Sequence, residues 1–419
     1  MVESSQTPGG VAWVSAALVA PVNVDVPVVQ TPPDEATPTP ESEPSTPPVA
    51  ASNAVTLTLV DGPTSFEQSG ASGELYFVLR PLAPPISRQL YHAQTDCLVS
   101  QSQCPAGLVS GFPQAEDNPL FWSPDGSQAA LVSSTTSELL IYTPQSQTWL
   151  TAQAPFSATV SLALWSPDGY WIATSLQDLQ DPDAQSSLLT LVHPEGTPYI
   201  AILRTPAEDL GGVQIPLGWL SADELLFMRY QTQPKGQPGE AIEPRLYRLN
   251  LSSNTSEELT LSNGWEWLKS YPAPSPDGEH IALSLLNGDQ SELAVTDLSS
   301  VEQMSFGVNG QMQTWSPDSQ SLAYVVQQQA SAEVYVSAWD GSNQRKVFEW
   351  ASTPSLTWSP DSQYLWITAY PGGGSSSETD KVVFFVYSLA DGALKEINLQ
   401  PDAANNDLLA PSFQPPVSP

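Results

Sequence analysis

Five short segments carry a carboxylate in the same setting. They are Trp122-Ser123-Pro124-Asp125-Gly126, Trp165-Ser166-Pro167-Asp168-Gly169, Ser275-Pro276-Asp277-Gly278, Trp315-Ser316-Pro317-Asp318-Ser319 and Trp358-Ser359-Pro360-Asp361-Ser362. An aspartate beside a hydroxyl has the chemistry of a general base or a cation ligand. Five copies, each followed by an apolar strand, ask instead for a shared structural cause, since they cannot all be active sites. Proline presets φ at the second position of a type I turn, aspartate tolerates the bridge region after it, and glycine accepts the left-handed position that follows. These aspartates are therefore expected to build turns. Ser319 and Ser362 replace the glycine, which predicts turns that are slightly strained or differently shaped. The tryptophans ahead of them read as packing between repeated units.

The remaining reactive groups are few. His92, His193 and His280 are the only histidines, far apart and each in or beside a predicted strand, so structural roles are expected. No G-x-S-x-G elbow and no H-E-x-x-H pair occurs. Asp178, Asp181 and Asp183 have cation-ligating chemistry, but an EF-hand-type loop also needs its glycine and terminal glutamate, so they read as a solvated acidic loop. Cys97 and Cys104 lie seven positions apart with no neighbouring histidine, which is not a zinc constellation. A small disulfide-closed loop is the sharper reading, and two free thiols the alternative. No catalytic residue, metal or cofactor is assigned from these groups.

Charge narrows the partners. The 419 residues carry 45 acidic against 12 basic side chains, a net −33. The five lysines and seven arginines form no run. Nucleic acid is held by basic residues that release its counterions, and an anionic membrane surface is disfavoured by the same sign. The six acids of residues 1–60, where no base occurs, leave 39 acids against 12 bases in the rest. That acidity favours solubility and cationic partners.

The chain then divides. Residues 31–48, TPPDEATPTPESEPSTPP, hold seven prolines and four acids, which forbid helix and ladder and leave an extended spacer. The apolar stretch 11–22 is too short for a membrane helix and has no basic residue ahead of it. The expectation is a disordered leader and Pro/Thr/Glu-rich linker over 1–54, with a membrane tether upstream of Met1 as one reading of it. A folded domain is expected over 55–415 and a disordered tail over 416–419. From Val55 onward, short runs rich in Val, Ile, Leu, Tyr and Trp alternate with Gly, Pro, Asp and Ser clusters, so the domain is all-β.

Spacing identifies the unit. The five aspartates are separated by 43, 109, 41 and 43 residues, and the long gap holds a degenerate copy, Gly218-Trp219-Leu220-Ser221-Ala222-Asp223. A repeat of about 40 to 55 residues is the length of a four-stranded propeller blade. Six innermost strands end near Trp122, Trp165, Trp219, Ala273, Trp315 and Trp358. A seventh, Leu408 to Phe413, has no strand after it, while Glu74 to Leu79 and Arg88 to Ala93 look like a second and third strand with no first. The two halves complete one another. The expected fold is a seven-bladed β-propeller closed by pairing 408–413 with 74–79, which removes open sheet edges. Six blades is the alternative, and Val55 to Val60 has no secure place.

The W-S-P-D-G-plus-strand repeat resembles the PD40, or TolB-like, subclass of WD40-type propellers over residues 70–415. Members similar to this chain include periplasmic propellers that bind peptide segments and propellers that gate serine peptidases. The resemblance implies an extracytoplasmic binding domain. The chain departs from those members in having neither an α/β domain ahead of the propeller nor an α/β-hydrolase domain.

Connection lengths suggest where a partner would sit. The longest predicted connections are 177–187, 231–243 and 371–381 between second and third strands, and 100–119, 204–212 and 262–267 between blades. Both classes emerge on one face, and long loops on a rigid scaffold carry recognition. Trp265, Trp267 and Tyr271 on that rim are the candidate ligand-binding residues, with packing between blades as their structural alternative. Three functions follow. The preferred one is a non-enzymatic, exported, monomeric propeller binding a protein segment or glycan on the loop-rich face. The rivals are a lyase, lactonase or glycosidase with paired carboxylates at the central channel, and a sensor or scaffold domain of a membrane-anchored protein.

Overall fold

The computed structural model of the chain describes residues 2–3, 11–12, 55–59, 73–81, 88–101, 103–113, 118–133, 136–152, 158–160, 162–178, 187–194, 200–202, 213–230, 244–259, 272–287, 290–300, 302–369, 382–397, 399–401 and 406–415. Contacts divide it into two units, Met1–Asn53 and Ala54–Pro419. In the first, Val2–Glu3 pairs antiparallel with Val11–Ala12. The rest of the expected leader and linker, and the tail 416–419, lie outside the described residues. No helix among the described residues is long and apolar enough to cross a membrane.

In the second unit each repeat turn joins the first two strands of a sheet. Blade 1 runs Phe121–Trp122, Ala129–Val132, Leu139–Thr143 and Thr148–Ala152. Blade 2 has Ile172–Asp178, Leu188–Val192 and Ile200–Ile202, with both Ala158–Val160 and Leu164–Trp165 pairing along the inner side of Ile172–Asp178. Blade 3 is Val213–Trp219, Glu224–Tyr230, Arg245–Asn250 and Thr255–Glu258. Blade 4 is Ala273–Pro274, His280–Asn287, Gln290–Asp297 and Gln303–Ser305. Blade 5 is Gly310–Trp315, Ser321–Gln327, Ala332–Ala338 and Arg345–Trp350, and blade 6 is Ser355–Trp358, Tyr364–Ala369, Val383–Ser388 and Leu394–Ile397.

The seventh sheet is assembled from remote segments. Its inner strand is Asn406–Gln414, followed outward by Glu74–Pro81, Gln89–Gln94, Gln103–Leu108, Val55–Leu59 and Leu399–Pro401. Leu408 pairs Leu79, Ser412 pairs Tyr76 and Phe413 pairs Leu75, as the closure predicts. Val55–Leu59 is thereby placed as an outer strand, between Gln103–Leu108 and Leu399–Pro401. The long connection expected over 100–119 is interrupted by the blade's fourth strand, Gln103–Leu108. Burial does alternate there, with Cys104 and Ala106 buried and Gln103 and Pro105 exposed, but the inward residues are small and a proline stands between them, which leaves little strand signal in the sequence. A short helix, Thr95–Ser100, leads into that strand, and Cys97 is bonded to Cys104 across it, Cα to Cα 5.7 Å.

The core is divided among the seams. Seven apolar clusters among the described residues each draw on two consecutive blades. One joins Leu75, Phe77 and Phe413 of the closing blade to Trp366 and Phe384 of blade 6, and another joins Tyr76 and Val78 to Leu131 and Tyr142 of blade 1. The other five link blades 1–2, 2–3, 3–4, 4–5 and 5–6. The circle of clusters establishes the ring independently of the hydrogen bonds. Second strands are covered by a neighbouring blade on both faces, so Leu75–Leu79 and Leu322–Val325 are buried without alternation. Fourth strands such as Thr148–Ala152 keep an exposed face.

Candidate functional site

Because strands alternate in direction, connections from second to third strand and from blade to blade emerge on one face. The repeat turns occupy the other. The long-connection face is uneven. Connections 179–187, 203–212, 231–244 and 259–272 follow one another across blades 2 to 4. Around blade 5 the corresponding connections shrink to 288–289, 306–309, 328–331 and 351–354, and 370–382 in blade 6 is long again, as expected for 371–381. The arc over blades 2 to 4 therefore carries four long connections in succession. Trp265, Trp267 and Tyr271 belong to the connection 259–272 and lie outside the described residues, as do Asp181 and Asp183.

The innermost strands bear on the rival enzymatic reading. Among the described residues Asp407 is the only carboxylate on any of them. Their polar side chains include Gln214, whose Oε1 accepts the Leu189 N–H, and Gln313, whose Nε2 donates to the Ala282 carbonyl. Paired carboxylates therefore do not arise from these strands.

On the turn face the repeated aspartates are committed. In each copy the serine hydroxyl donates to Asp Oδ1 and accepts the backbone N–H five residues on. Ser123 does so with Asp125 and Gln128, Ser166 with Asp168 and Trp171, and Ser316 with Asp318 and Ser321. Oδ1 also accepts the N–H two residues after the aspartate, from Ser127, Tyr170, Glu279, Gln320 and Gln363. Burial works to raise the Asp125 carboxyl, and the hydrogen bonds from Ser123 and Ser127 outweigh it, holding it below its ordinary value. The aspartates are turn builders.

The two glycine replacements keep the turn's shape. Ser319 and Ser362 both sit at φ +61°, in the same left-handed region as Gly126 at +67° and Gly278 at +74°. What changes is a bond that glycine cannot make. Ser319 Oγ accepts the Asp277 N–H of blade 4 at 3.0 Å, and Ser362 Oγ accepts the Asp318 N–H of blade 5 at 3.0 Å. A hydrogen bond of about 1 kcal/mol offsets a left-handed cost of about the same size.

The tryptophans tie blades together. Trp165, Trp219, Trp315 and Trp358 donate Nε1–H to the inner-strand carbonyls of Phe121, Leu164, Ala273 and Thr314, each in the preceding blade. At the closing blade the device differs. Glu74 Oε2 accepts from His92 Nδ1 at 2.7 Å, Gln94 Nε2 donates to Oε1, and the His92 ring stacks on Tyr76 with centroids 5.5 Å apart. Since an ionised carboxylate only accepts, His92 Nδ1 carries the proton. The His92 hydrogen bond holds the Glu74 carboxyl below its ordinary value against the opposing effect of burial. Burial, with Glu74 beside it, pushes the Tyr76 phenol far up.

The other two histidines differ. His193 lies edge-on to Tyr170 and Trp171. His280 is 7% exposed, and its Nδ1 is buried without a hydrogen-bond partner among the described residues. The expected satisfied structural role does not hold at that atom. A signal was present in the sequence, because Glu279-His280 follows only the third S-P-D-G copy. The corresponding pairs are Ser127-Gln128, Tyr170-Trp171, Gln320-Ser321 and Gln363-Tyr364.

No family model and no curated protein matches the chain. Solved structures do. The β-propeller domain of the Trilobed protease from Pyrococcus furiosus is 14% identical, covering 82% of this chain and 98% of its own, with a TM-score of 0.51. Oligogalacturonate lyase from Vibrio parahaemolyticus is 12% identical over 83% of this chain and 86% of its own, at 0.51. TolB from Acinetobacter baumannii is 17% identical over 85% of this chain and 69% of its own, at 0.46. At such identities the likeness is one of fold. With its seven sheets and its W-S-P-D-G turns, the Ala54–Pro419 unit is a seven-bladed β-propeller whose repeats resemble the TolB-like kind.

Proposed function

We propose that the chain is a non-enzymatic, extracytoplasmic propeller that binds a protein segment on the arc of long connections across blades 2 to 4. Trp265, Trp267 and Tyr271 supply aromatic contacts in this reading. The observation that carries it is the unequal rim, with 203–212, 231–244 and 259–272 on one arc and two- to four-residue links around blade 5. The net charge of −33 favours a segment with basic side chains, which long-range attraction brings to the surface. The Cys97–Cys104 bond supports an oxidising compartment. The partnered turn aspartates and the inner strands, which bear Asp407 alone among described carboxylates, favour binding over hydrolysis or elimination. The protein works as a monomer in this reading.

The test presents the full chain to arrays of basic peptides, acidic peptides and glycans, with the double variant Trp265→Ala/Trp267→Ala alongside. Retention of basic peptides that the variant loses by tenfold or more supports the reading. Retention of glycans alone transfers the site to a carbohydrate ligand. Turnover of an acidic oligosaccharide with no peptide retained overturns it in favour of the enzyme.

A further inference from the structure

One ring nitrogen of His280 and one carboxylate oxygen each of Asp277 and Glu279 lie within 4.8 Å of one another. This group sits on the turn face, opposite the rim of long connections, and does not depend on the binding proposed there. Asp277 and Glu279 are exposed, and acidic pairs of that kind are common on an acidic surface. His280 is the feature that singles this one out. It is more than nine-tenths buried, and its Nδ1 has no partner among the described residues. Nδ1 is one of the two ring nitrogens through which this imidazole can serve as a ligand, and an unsatisfied buried nitrogen costs free energy.

The surroundings fix the donors without consuming them. The His280 ring lies against Trp339 at 4.4 Å between centroids and Trp315 at 6.2 Å, both from blade 5, so its orientation is set by packing. Asp277 Oδ1 is held by Ser275 and the Glu279 N–H, while no hydrogen bond to Oδ2 or to the Glu279 carboxylate occurs among the described residues. The Asp277 N–H is in turn anchored on Ser319 Oγ of blade 5. One imidazole and two carboxylates form a donor set for borderline divalent ions, bound at about 2.0–2.2 Å. That geometry brings the donors to about 3.3 Å of one another. Rotation of the exposed Glu279 side chain supplies the movement, while the turn holds Asp277 and the tryptophans hold the ring.

We propose that Asp277, Glu279 and His280 form a site for a divalent transition-metal ion of the Zn²⁺ class. The fourth position is left to water or to a donor from a bound molecule. None of the other four S-P-D copies offers these donors, so the site is a property of blade 4 and its seam with blade 5.

The experiment titrates ZnCl₂ into the EDTA-stripped, desalted full chain by calorimetry and by tryptophan emission, with millimolar MgCl₂ present to occupy diffuse acidic surface. The expected result is one Zn²⁺ per chain and a change in emission, because Trp339 lies against the ligating ring. Glu279→Gln and Asp277→Asn remove charge from exposed positions while leaving the turn able to form, and each is expected to weaken Zn²⁺ tenfold or more with unchanged circular dichroism. His280→Gln is expected to abolish stoichiometric binding. The proposal is overturned if Mg²⁺ displaces all bound Zn²⁺. It is equally overturned if the two carboxylate variants bind as tightly as the parent chain.

Discussion

The seam between blades 5 and 6 and the seam between the closing blade and blade 1 do the same job with different parts. At the first, Trp358 donates its indole N–H to the Thr314 carbonyl and Ser362 takes the N–H of Asp318. At the second, the Trp122 N–H has no partner among the described residues, and Gln414 Nε2 donates to the Gly126 carbonyl at 2.7 Å instead. The inner strand that Trp122 faces is bulged between Leu409 and Ser412, with Ala410 at φ +48°. The inner strand of blade 5 is bulged in the same way between Gln311 and Thr314, with Met312 at φ +53°, and still accepts Trp358, so the bulge alone does not remove the bond. The closing seam replaces it with the Gln414–Gly126 contact. An ordinary seam is built by copying one sequence pattern, whereas the closing seam is built once, from segments some 330 positions apart.

The largest test of this contrast removes residues 406–419. Loss of the cooperative thermal transition is expected, because the closing sheet loses its inner strand and Phe413 its place against Trp366. A truncated chain that melts as sharply and as high as the parent would show that the seam is dispensable.

Next come the turn glycines. A Cβ on Gly126 would stand 2.3 Å from the Pro415 carbonyl oxygen at the closing seam, whereas on Gly169 it would meet nothing within 4 Å. Gly126→Ala is expected to cost about 3 kcal/mol, and Gly169→Ala about 1 kcal/mol. Equal losses in denaturant titrations would break the distinction.

The tryptophans give a difference in size. Trp358→Phe strands the Thr314 carbonyl and is expected to cost about 1–2 kcal/mol. Trp122→Phe removes an N–H that has no partner, so it is expected to be close to neutral in the same titration.

The Glu74–His92 pair adds a pH dependence confined to the closing blade. The Glu74 carboxyl is lowered in the folded chain, so its contribution is present above its ordinary value near 4.5 and is lost as pH falls through the folded value. Glu74→Gln is expected to be about 1 kcal/mol less stable at pH 7, with the gap closing below pH 4. A gap that persisted at pH 3 would assign the effect to packing.

Smallest, Ser319→Ala and Ser362→Ala should each cost about 0.5–1 kcal/mol, through the lost bond to the preceding blade.

Much of this was legible in the chain. The five S-P-D turns, the degenerate copy at Asp223 and the half-blades at 74–93 and 408–413 predict seven blades and their closure, because a turn imposes its φ requirements on its own few residues. Four features were not legible. Val55–Leu59 had no assigned place, since an outer strand's position depends on which edge is left open. Gln103–Leu108 read as loop. Ser319 and Ser362 looked like mere strain, because their acceptor role needs the N–H of another blade. His280 read as satisfied, because burial and partners are properties of neighbours.

By itself, the sequence determined the repeat, the turn chemistry, the all-β class and the acidic charge, all of which rest on interactions within a few residues or on composition. Only the tertiary structure decided which indoles find a carbonyl, how the ring is sealed and which turn gathers a buried imidazole with two carboxylates. Those outcomes depend on distances between atoms that the chain brings together only after it has curled into a circle.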